Sequence, residues 1–277
     1  MGIRPWQFAP GIGQVATAHH AADPVYLSAS DAIGESNLLH RKHWEWVFTH
    51  ATADRLNLLE AGRSALGFGV GTEPLVSAFA ARGVEILATD QPEDQAGDWA
   101  TTGQHSTDLR DLWRPTICDE EVFARAVSFR PVDMTSLPSD LGEFDLVWSS
   151  CCFEHLGSPQ AGIEFVRNSM RHVAPGGAAI HTTEFDTTRL KGLLEIGDVE
   201  RGTYACFYRR RDLKRLVSTL RSEGFEVEVD WRVSRRHPAE RQVDRPPYSH
   251  SPHMRVEVEG RIVTSIGLVV TRPVTTT

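Results

Sequence analysis

The sequence contains no uninterrupted apolar run approaching the roughly 20 residues that a helix needs to cross a bilayer. Residues 1–13 carry an early Arg4 but neither an apolar core nor a small-residue cleavage site, so they do not resemble a secretory signal. These absences predict a cytoplasmic protein with no membrane partner.

Cysteine is scarce and its spacing is uninformative for disulfides or metals. Four cysteines are present: Cys118, Cys151, Cys152 and Cys206. They include no C-x-x-C pair, which argues against a disulfide framework and a thiolate zinc site. His250 and His253 could meet at a metal, but no third ligand is identifiable. We therefore predict no metal, reduced thiols and no catalytic role for Cys151 or Cys152.

Positive charge is also limited. The formal net charge is -8, which disfavours sequence-independent binding to phosphate backbones and predicts no nucleic-acid partner. The basic run at 209–211 lies where a helix begins and is interpreted as a solvated helix start. Nearly all basic residues are arginine, which hints at a GC-rich bacterial coding sequence. A compact small-molecule substrate is favoured, while the oligomeric state cannot be deduced.

The chain has the composition of an ordinary globular protein, with 277 residues, 40% hydrophobic and 24% charged. We interpret residues 1–60 as an N-terminal helical cap segment, with a helix over 36–60 that Ser36 could cap. Residues 61–277 form the main domain, and 91–125 read as an insertion with only short helices. Together they are expected to make one structural domain.

The main domain begins with a strand, a glycine turn and a helix. Residues 64–69 are small and apolar, Pro74 opens a helix that runs to Gly83, and 84–89 make a second strand ending in Asp90. This βαβ unit requires a parallel strand pair with a right-handed crossover, which creates a crevice at the carboxyl ends of the strands.

Alternation of strands and helices continues to the end of the chain. The expected strands are 127–132, 144–149, 178–183, 225–229 and 261–271, with a loop at 238–252 between the last two. One helix is expected to be capped by Ser158, to have Pro159 at its first position and to end at 175–177. A second helix is expected to be capped by Asp212 and to end at Gly224. The pattern predicts an α/β fold.

The first turn, residues 67–74, allows the backbone to pass close to a ligand at a helix N-terminus. The dinucleotide fingerprint G-x-G-x-x-G would need its third glycine where Pro74 stands. This turn is therefore poorly suited to bind a pyrophosphate, and a ligand without phosphates fits it better.

Further motifs follow this turn in a fixed order. They are Asp90 after the second strand, Val132-Asp133-Met134 after the third, Phe144 to Ser150 at the fourth, Phe153-Glu154-His155-Leu156, and Arg171 to Gly177. With this ordered set, the sequence resembles the class I S-adenosylmethionine-dependent methyltransferases of the small-molecule type. The likeness covers roughly 64–177 and weakens towards the C-terminus.

The resemblance implies a doubly wound, Rossmann-like sheet of seven mostly parallel strands, in the order 3-2-1-4-5-7-6 with strand 7 antiparallel. It also implies S-adenosylmethionine as cofactor. The cofactor-binding residues it implies are Gly69, Val70, Gly71, Asp90, Gln91, Asp133, Met134, Ser149 and Ser150.

Within that set, the resemblance gives Asp90 the ribose hydroxyls and Asp133 the adenine amino group, with Met134 packing on the ring. The backbone around 149–150 would line the methionine end. Two positions depart from the family pattern: Gly67 stands where many members have an acid, and Glu73 replaces a customary glycine.

The implied reaction is methyl transfer to a hydroxyl or amine of a small metabolite, such as a sugar or natural product. His155 is the first candidate for a base and His181 the second, although either could simply pack. A nicotinamide-dependent oxidoreductase and a non-catalytic S-adenosylmethionine-binding family member remain as alternatives.

Segments expected around the substrate are the N-terminus with Trp6, the insertion at 91–125, and the loops carrying His155, His181 and Glu184. Trp44 and Trp46 lie on the predicted N-terminal helix. They could pack in the core or form an aromatic cage for a cationic amine, and the sequence does not decide between these roles.

Overall fold

The computed structural model describes residues 6–36, 39–92, 106, 108–188, 206–249 and 251–274. The strands are β1 Gly13–Val15, β2 Ser64–Phe68, β3 Glu85–Asp90, β4 Val127–Pro131, β5 Phe144–Ser150, β6 Val173–Asp186, β7 Glu226–Val227, β8 Val229–Asp230, β9 Val256–Val258 and β10 Arg261–Thr271. The helices are α1 Pro24–Ala32, α2 Arg41–Arg55, α3 Leu75–Ala80, α4 Leu109–Leu112, α5 Glu120–Ala126, α6 Pro159–Ser169, α7 Arg210–Ser222 and α8 Pro238–Arg241.

The strands form one mixed sheet in the order β4-β3-β2-β5-β6-β10-β1-β8, with β7 and β9 also pairing with β10. From β4 to β6 the neighbours are parallel, and β10 runs antiparallel to β6. The α/β, Rossmann-like character is confirmed. The described sheet has ten strands instead of seven, because the short strands β1, β8 and β9 add to it.

Helix boundaries depart from the expectation at several caps. Helix α2 spans 41–55, with the His40 ring accepting a hydrogen bond from the Lys42 amide at 3.1 Å, so Ser36 lies outside it. Asp212 is not the N-cap of α7 but sits at its third position, where its carboxylate accepts from the Arg209 amide. Both predictions placed the cap at the nearest favourable polar residue, which the actual helix start did not use.

The region after α6 also differs from the expectation. Ser158 caps α6 as predicted, accepting from the Ala161 amide at 3.1 Å. The helix ends at Ser169, however, and β6 already begins at Val173. Residues 175–177 therefore lie within the strand, where Gly176 takes φ +83°. The predicted strands at 127–132 and 144–149 match β4 and β5 within two residues, while 225–229 divides into β7 and β8.

The N-terminal segment is built into the sheet. Strand β1 pairs antiparallel with β10 and parallel with β8. Helix α2 packs on the same region, because a Cβ added at Gly267 would lie only 2.1 Å from the Phe48 ring. Because Gly267 has no side chain, Phe48 can contact the β10 backbone, and α2 lies close to the sheet. The division into 1–60 and 61–277 stays a prediction.

Across the described ranges, no helix has both the length and the apolar character required to traverse a bilayer.

Candidate active site

A cavity of about 560 Å³ opens where β2, β3, β4 and β5 end. Its lining combines residues that follow these strands with two residues of α2. The lining residues are Lys42, Trp46, Gly69, Val70, Gly71, Thr72, Glu73, Asp90, Gln91, Asp133, Met134, Thr135, Ser150, Cys151, Cys152, His155 and Leu156. Ligands of open α/β sheets bind in such a crevice at the carboxyl ends of the strands.

The glycine loop forms one wall. Gly69 and Gly71 have φ angles of +58° and +49°, the left-handed region that glycine adopts without strain. A Cβ on Gly69 would come within 2.9 Å of the Cys152 Sγ. The Val70 amide donates to the Thr89 carbonyl at 3.1 Å, which ties the loop to the neighbouring strand β3. Glycine is therefore required here by both conformation and space.

Asp90 ends β3 and holds the loop in place. Its Oδ2 accepts from the Gly71 amide at 3.0 Å and the Ser106 amide at 3.3 Å, and its Oδ1 accepts from the Gln91 amide at 2.8 Å. The side chain is buried yet lines the cavity. A carboxylate with several amide donors is held in one orientation.

Asp133 and Met134 lie next to each other after β4. The Asp133 Oδ1 accepts from both the amide and the hydroxyl of Thr135, each at 2.7 Å, so the side chain is fixed in a local turn. The Met134 side chain is 9% exposed and belongs to the core that also contains Phe68 and Phe153. The pair thus presents a polar edge and an apolar surface to the cavity.

His181 is not among the cavity-lining residues. It is fully buried, with Nδ1 2.8 Å from the Ser149 hydroxyl and Nε2 3.1 Å from the Ser169 hydroxyl. Burial lowers the pKa of His181 to about 3, so the ring is neutral at physiological pH. Ser149 is likewise buried behind the cavity, whereas Ser150 lines it.

His155 does line the cavity, and it is half-buried in the short turn Phe153–His155. Its neighbours Cys151 and Cys152 also face the cavity. Burial raises the pKa of both thiols well above the usual value, so both stay protonated and are poor nucleophiles. All four cysteines of the chain are free.

Helix α2 contributes a wall that the sequence prediction missed. Trp46 and Lys42 line the cavity, while Trp44 is fully buried, donates to the His20 ring at 2.8 Å and stacks on Phe48. The two tryptophans thus have different roles, one facing the cavity and one packing in the core. Lys42 and Trp46 are four residues apart and share a helix face, which is the signal that could have paired them.

A buried charge network, which we define as Arg41, Glu45 and Glu184, supports this wall. The Arg41 guanidinium lies 2.6 Å from Glu184 and 3.4 Å from Glu45. Glu45 also accepts from the Thr182 hydroxyl at 3.0 Å and from the Ser265 hydroxyl. The network connects α2 to β6 and β10 beneath the cavity.

Several predicted substrate segments lie elsewhere. Trp6 stacks on His19 with ring centroids 6.3 Å apart and does not line the cavity. Glu184 forms an ion pair with Arg41 and does not line the cavity. Of the insertion at 91–125, Gln91 lines the cavity, while 93–105 and 107 lie outside the described residues. His250 is also outside them, and within the described ranges no group of three metal-ligating side chains occurs.

Comparison with solved structures finds likeness at low identity. An O-methyltransferase family protein from Burkholderia thailandensis shares 13% identity with a TM-score of 0.44, covering 85% of this chain and 60% of its own. A chain from Bacillus halodurans C-125 described as a methyltransferase shares 17% identity with a TM-score of 0.49, covering 80% and 98%.

A protein described as a sarcosine dimethylglycine methyltransferase from Galdieria sulphuraria shares 15% identity with a TM-score of 0.37, covering 53% of this chain. The chain spans 47% of that protein and 60% of the Burkholderia protein. No curated protein sequence matches. At these identities and TM-scores, the structural likenesses do not bear on substrate.

The comparison that identifies the chain is with protein families. The family described as "Methyltransferase domain" matches residues 43–228, more than half of the 277-residue chain. The matched range contains the glycine loop, Asp90, Asp133 and Trp46. The chain therefore belongs to this methyltransferase family, and its cofactor is S-adenosylmethionine.

Proposed function

We propose that the protein transfers a methyl group from S-adenosylmethionine to a hydroxyl or amine of a small metabolite, such as a sugar or natural product. The observation that carries this proposal is the lining of a single cavity. Residues from four separate motifs meet there: Gly69 to Gly71, Asp90, Asp133 with Met134, and Ser150. A cavity of about 560 Å³ is within the range of small-molecule sites.

The cofactor-binding roles follow the chemistry of each side chain. Asp90 accepts hydrogen bonds from the ribose hydroxyls, because its carboxylate is fixed by backbone amides and faces the cavity beside Gln91. Asp133 accepts from the adenine amino group through Oδ2, since Thr135 already uses Oδ1. Met134 packs on the ring.

The glycine loop fits a cofactor that must lie close to the backbone, since a Cβ on Gly69 would already collide with Cys152. Ser150 lines the methionine end. Ser149 is buried behind it, where its hydroxyl is hydrogen-bonded to the His181 ring. When bound, S-adenosylmethionine supplies an electrophilic methyl group on a sulfonium. The protein then has to place the acceptor in line and keep water out.

His155 is the proposed base. It lines the cavity on the turn after β5, where it can take the proton that a hydroxyl or ammonium acceptor loses. His181 has no such position, because both of its ring nitrogens are bonded to buried hydroxyls. Trp46 and Lys42 form the α2 wall, and an aromatic face there suits a cyclic acceptor.

Substitution of His155 by alanine tests this function. His155→Ala should keep S-adenosylhomocysteine affinity while lowering single-turnover methyl transfer by roughly 10²-fold or more, because only proton transfer is removed. Binding is measured by calorimetry and transfer with an acceptor found in a metabolite screen.

His237→Ala is the matched control, since this histidine caps α8 and does not line the cavity. It should transfer at the wild-type rate. Near-normal transfer by His155→Ala would reject the base and leave orientation as the source of catalysis. Cofactor binding without transfer to any screened acceptor would instead favour a non-catalytic family member.

A further inference from the structure

Residue 67 lacks the acid that stands there in many relatives, and the structure shows that the space is closed. Gly67 on β2 pairs in register with Trp148 on β5. A Cβ built on Gly67 would lie 2.4 Å from the indole Cζ2 of Trp148. No acidic side chain can occupy this place unless the indole moves.

The same indole anchors another acid a few residues further along the loop. Its Nε1 donates to the Glu73 Oε1 at 2.6 Å. Glu73 is only 5% exposed, yet it lines the cavity. Trp148 therefore fills one position of the loop and fixes a carboxylate at another.

Glu73 is the one acid of the cavity lining to which no ligand contact has yet been assigned. Glu73, Asp90 and Asp133 are the acids of the lining, and Asp90 and Asp133 are proposed above to hold the ribose and the adenine. S-adenosylmethionine carries an α-ammonium on its amino-acid end. An ammonium donates strong, charge-assisted hydrogen bonds to a carboxylate, and the bond strengthens where water is excluded.

We propose that Glu73 binds the α-ammonium of the cofactor and so replaces the acid absent at residue 67. This inference rests on the proposed placement of the ribose at Asp90. It assigns Glu73 to the amino-acid end, while the adenosine end is held independently by other residues.

The surroundings of Glu73 make its ionisation sensitive to this ammonium. Burial raises the pKa of Glu73 to about 7, against the hydrogen bond from Trp148 and the charge of Lys42, which lower it. Glu45, on α2 with Lys42, raises it further. An arriving ammonium favours the carboxylate form, so binding below this pKa should release a proton.

Two other groups that face Glu73, Lys42 and Cys152, do not titrate in the same range. Burial alone would lower the pKa of Lys42, but Cys151 and Glu45 raise it overall, so Lys42 stays charged. The Cys152 thiol stays protonated because burial raises its pKa well above the usual value. His155 also lines the cavity, so a ligand without the ammonium is needed as a reference.

The test compares two ligands and one substitution by calorimetry. S-adenosylhomocysteine carries the amino-acid end, and 5′-methylthioadenosine lacks it. Glu73→Gln removes the charge but keeps an oxygen that can accept from Trp148. We expect Glu73→Gln to weaken S-adenosylhomocysteine roughly 10- to 100-fold and to leave 5′-methylthioadenosine within about twofold.

Glu60→Gln is the matched control, because Glu60 is exposed and distant from the lining; it should change neither affinity. Equal weakening of both ligands by Glu73→Gln, or no weakening of either, would overturn the inference. If the wild-type protein binds neither ligand, the proposed cofactor placement fails and this inference fails with it.

A second measurement needs no substitution. Proton release on binding is obtained from calorimetry in buffers of different ionisation enthalpy. At about pH 6, S-adenosylhomocysteine should release most of one proton more than 5′-methylthioadenosine does, and at about pH 7.5 only a small fraction. Equal release by the two ligands at the lower pH would reject Glu73 as the ammonium site.

Discussion

The two walls of the cavity are held in place by different physics. On the strand-end wall, Asp90 is bonded to Gly71, Gln91 and Ser106, all within twenty positions of it in the chain. On the α2 wall, Lys42 and Trp46 depend on a helix whose support comes from remote parts of the chain. Arg41 reaches Glu184, 143 positions away.

The difference shows how such a domain can divide its tasks. A wall made of strand ends and short turns keeps its geometry as long as the parallel strands pair, which suits a cofactor of constant shape. A wall made by a helix over the sheet depends on packing and on a buried ion-pair network, and its exposed face can vary without disturbing the turns. Substrate choice is therefore expected to reside on the α2 wall.

The largest effect is expected from breaking the buried network under α2. Arg41→Met should destabilise the protein by about 3 to 5 kcal/mol, because it leaves the buried carboxylate of Glu184 without its ion-pair partner and Glu45 with Lys42 alone at 3.8 Å. Urea unfolding measures the loss.

Arg245→Met is the control, since its ion pair with Glu257 is exposed and should contribute less than about 1 kcal/mol. If the two variants lose similar stability, the α2 wall does not depend on buried charge, and the contrast between the two walls disappears.

Removing the carboxylate of the strand-end wall should act on the ligand more than on the fold. Asp90→Ala should weaken S-adenosylhomocysteine by roughly 1.5 to 3 kcal/mol through loss of charge-assisted ribose bonds. The wild-type protein should bind S-adenosylhomocysteine and not NAD. Calorimetry with both ligands measures this, and unchanged affinity in the variant would remove the ribose assignment.

A smaller effect is expected at the other end of the same wall. Asp133→Ala should cost about 0.5 to 1.5 kcal/mol of cofactor affinity, less than Asp90→Ala. Asp133 is more exposed, and the variant loses one hydrogen bond, the one from the uncharged adenine amino group. Met134→Ala should also weaken binding by loosening contact with the adenine ring. A larger loss at Asp133 than at Asp90 would reverse the proposed ranking.

The sequence predicted most of the strand-end wall because its signals are local. Ser158 with Pro159, the strands around Gly67 and Asp90, and the motif at Asp133 are each short patterns whose structure follows from neighbouring residues. The short strands β1 and β9 escaped prediction and β8 was not separated from β7, since two or three residues carry no periodicity and form only when β10 or β1 is beside them.

The α2 wall and the burial of His181 could not be predicted either, because both depend on contacts between residues far apart in the chain. Whether Trp44 or Trp46 faces the cavity depends on how α2 lies against Gly267, which joins positions far apart in the chain. Successive residues of β6 around His181 are buried on both faces, and only the position of Ser169 on α6 shows that His181 lies on the face away from the cavity. The predicted cytoplasmic location and bacterial source remain predictions.

The pairing of β1 sets an order of assembly during synthesis. Gln14 of β1 pairs with Gly267 of β10, so about 250 further residues must be synthesised before β1 has its antiparallel partner. Phe48 packs against that same glycine. A nascent chain can thus complete its strand-end wall once β5 has emerged, but the α2 wall closes only when β10 leaves the exit tunnel.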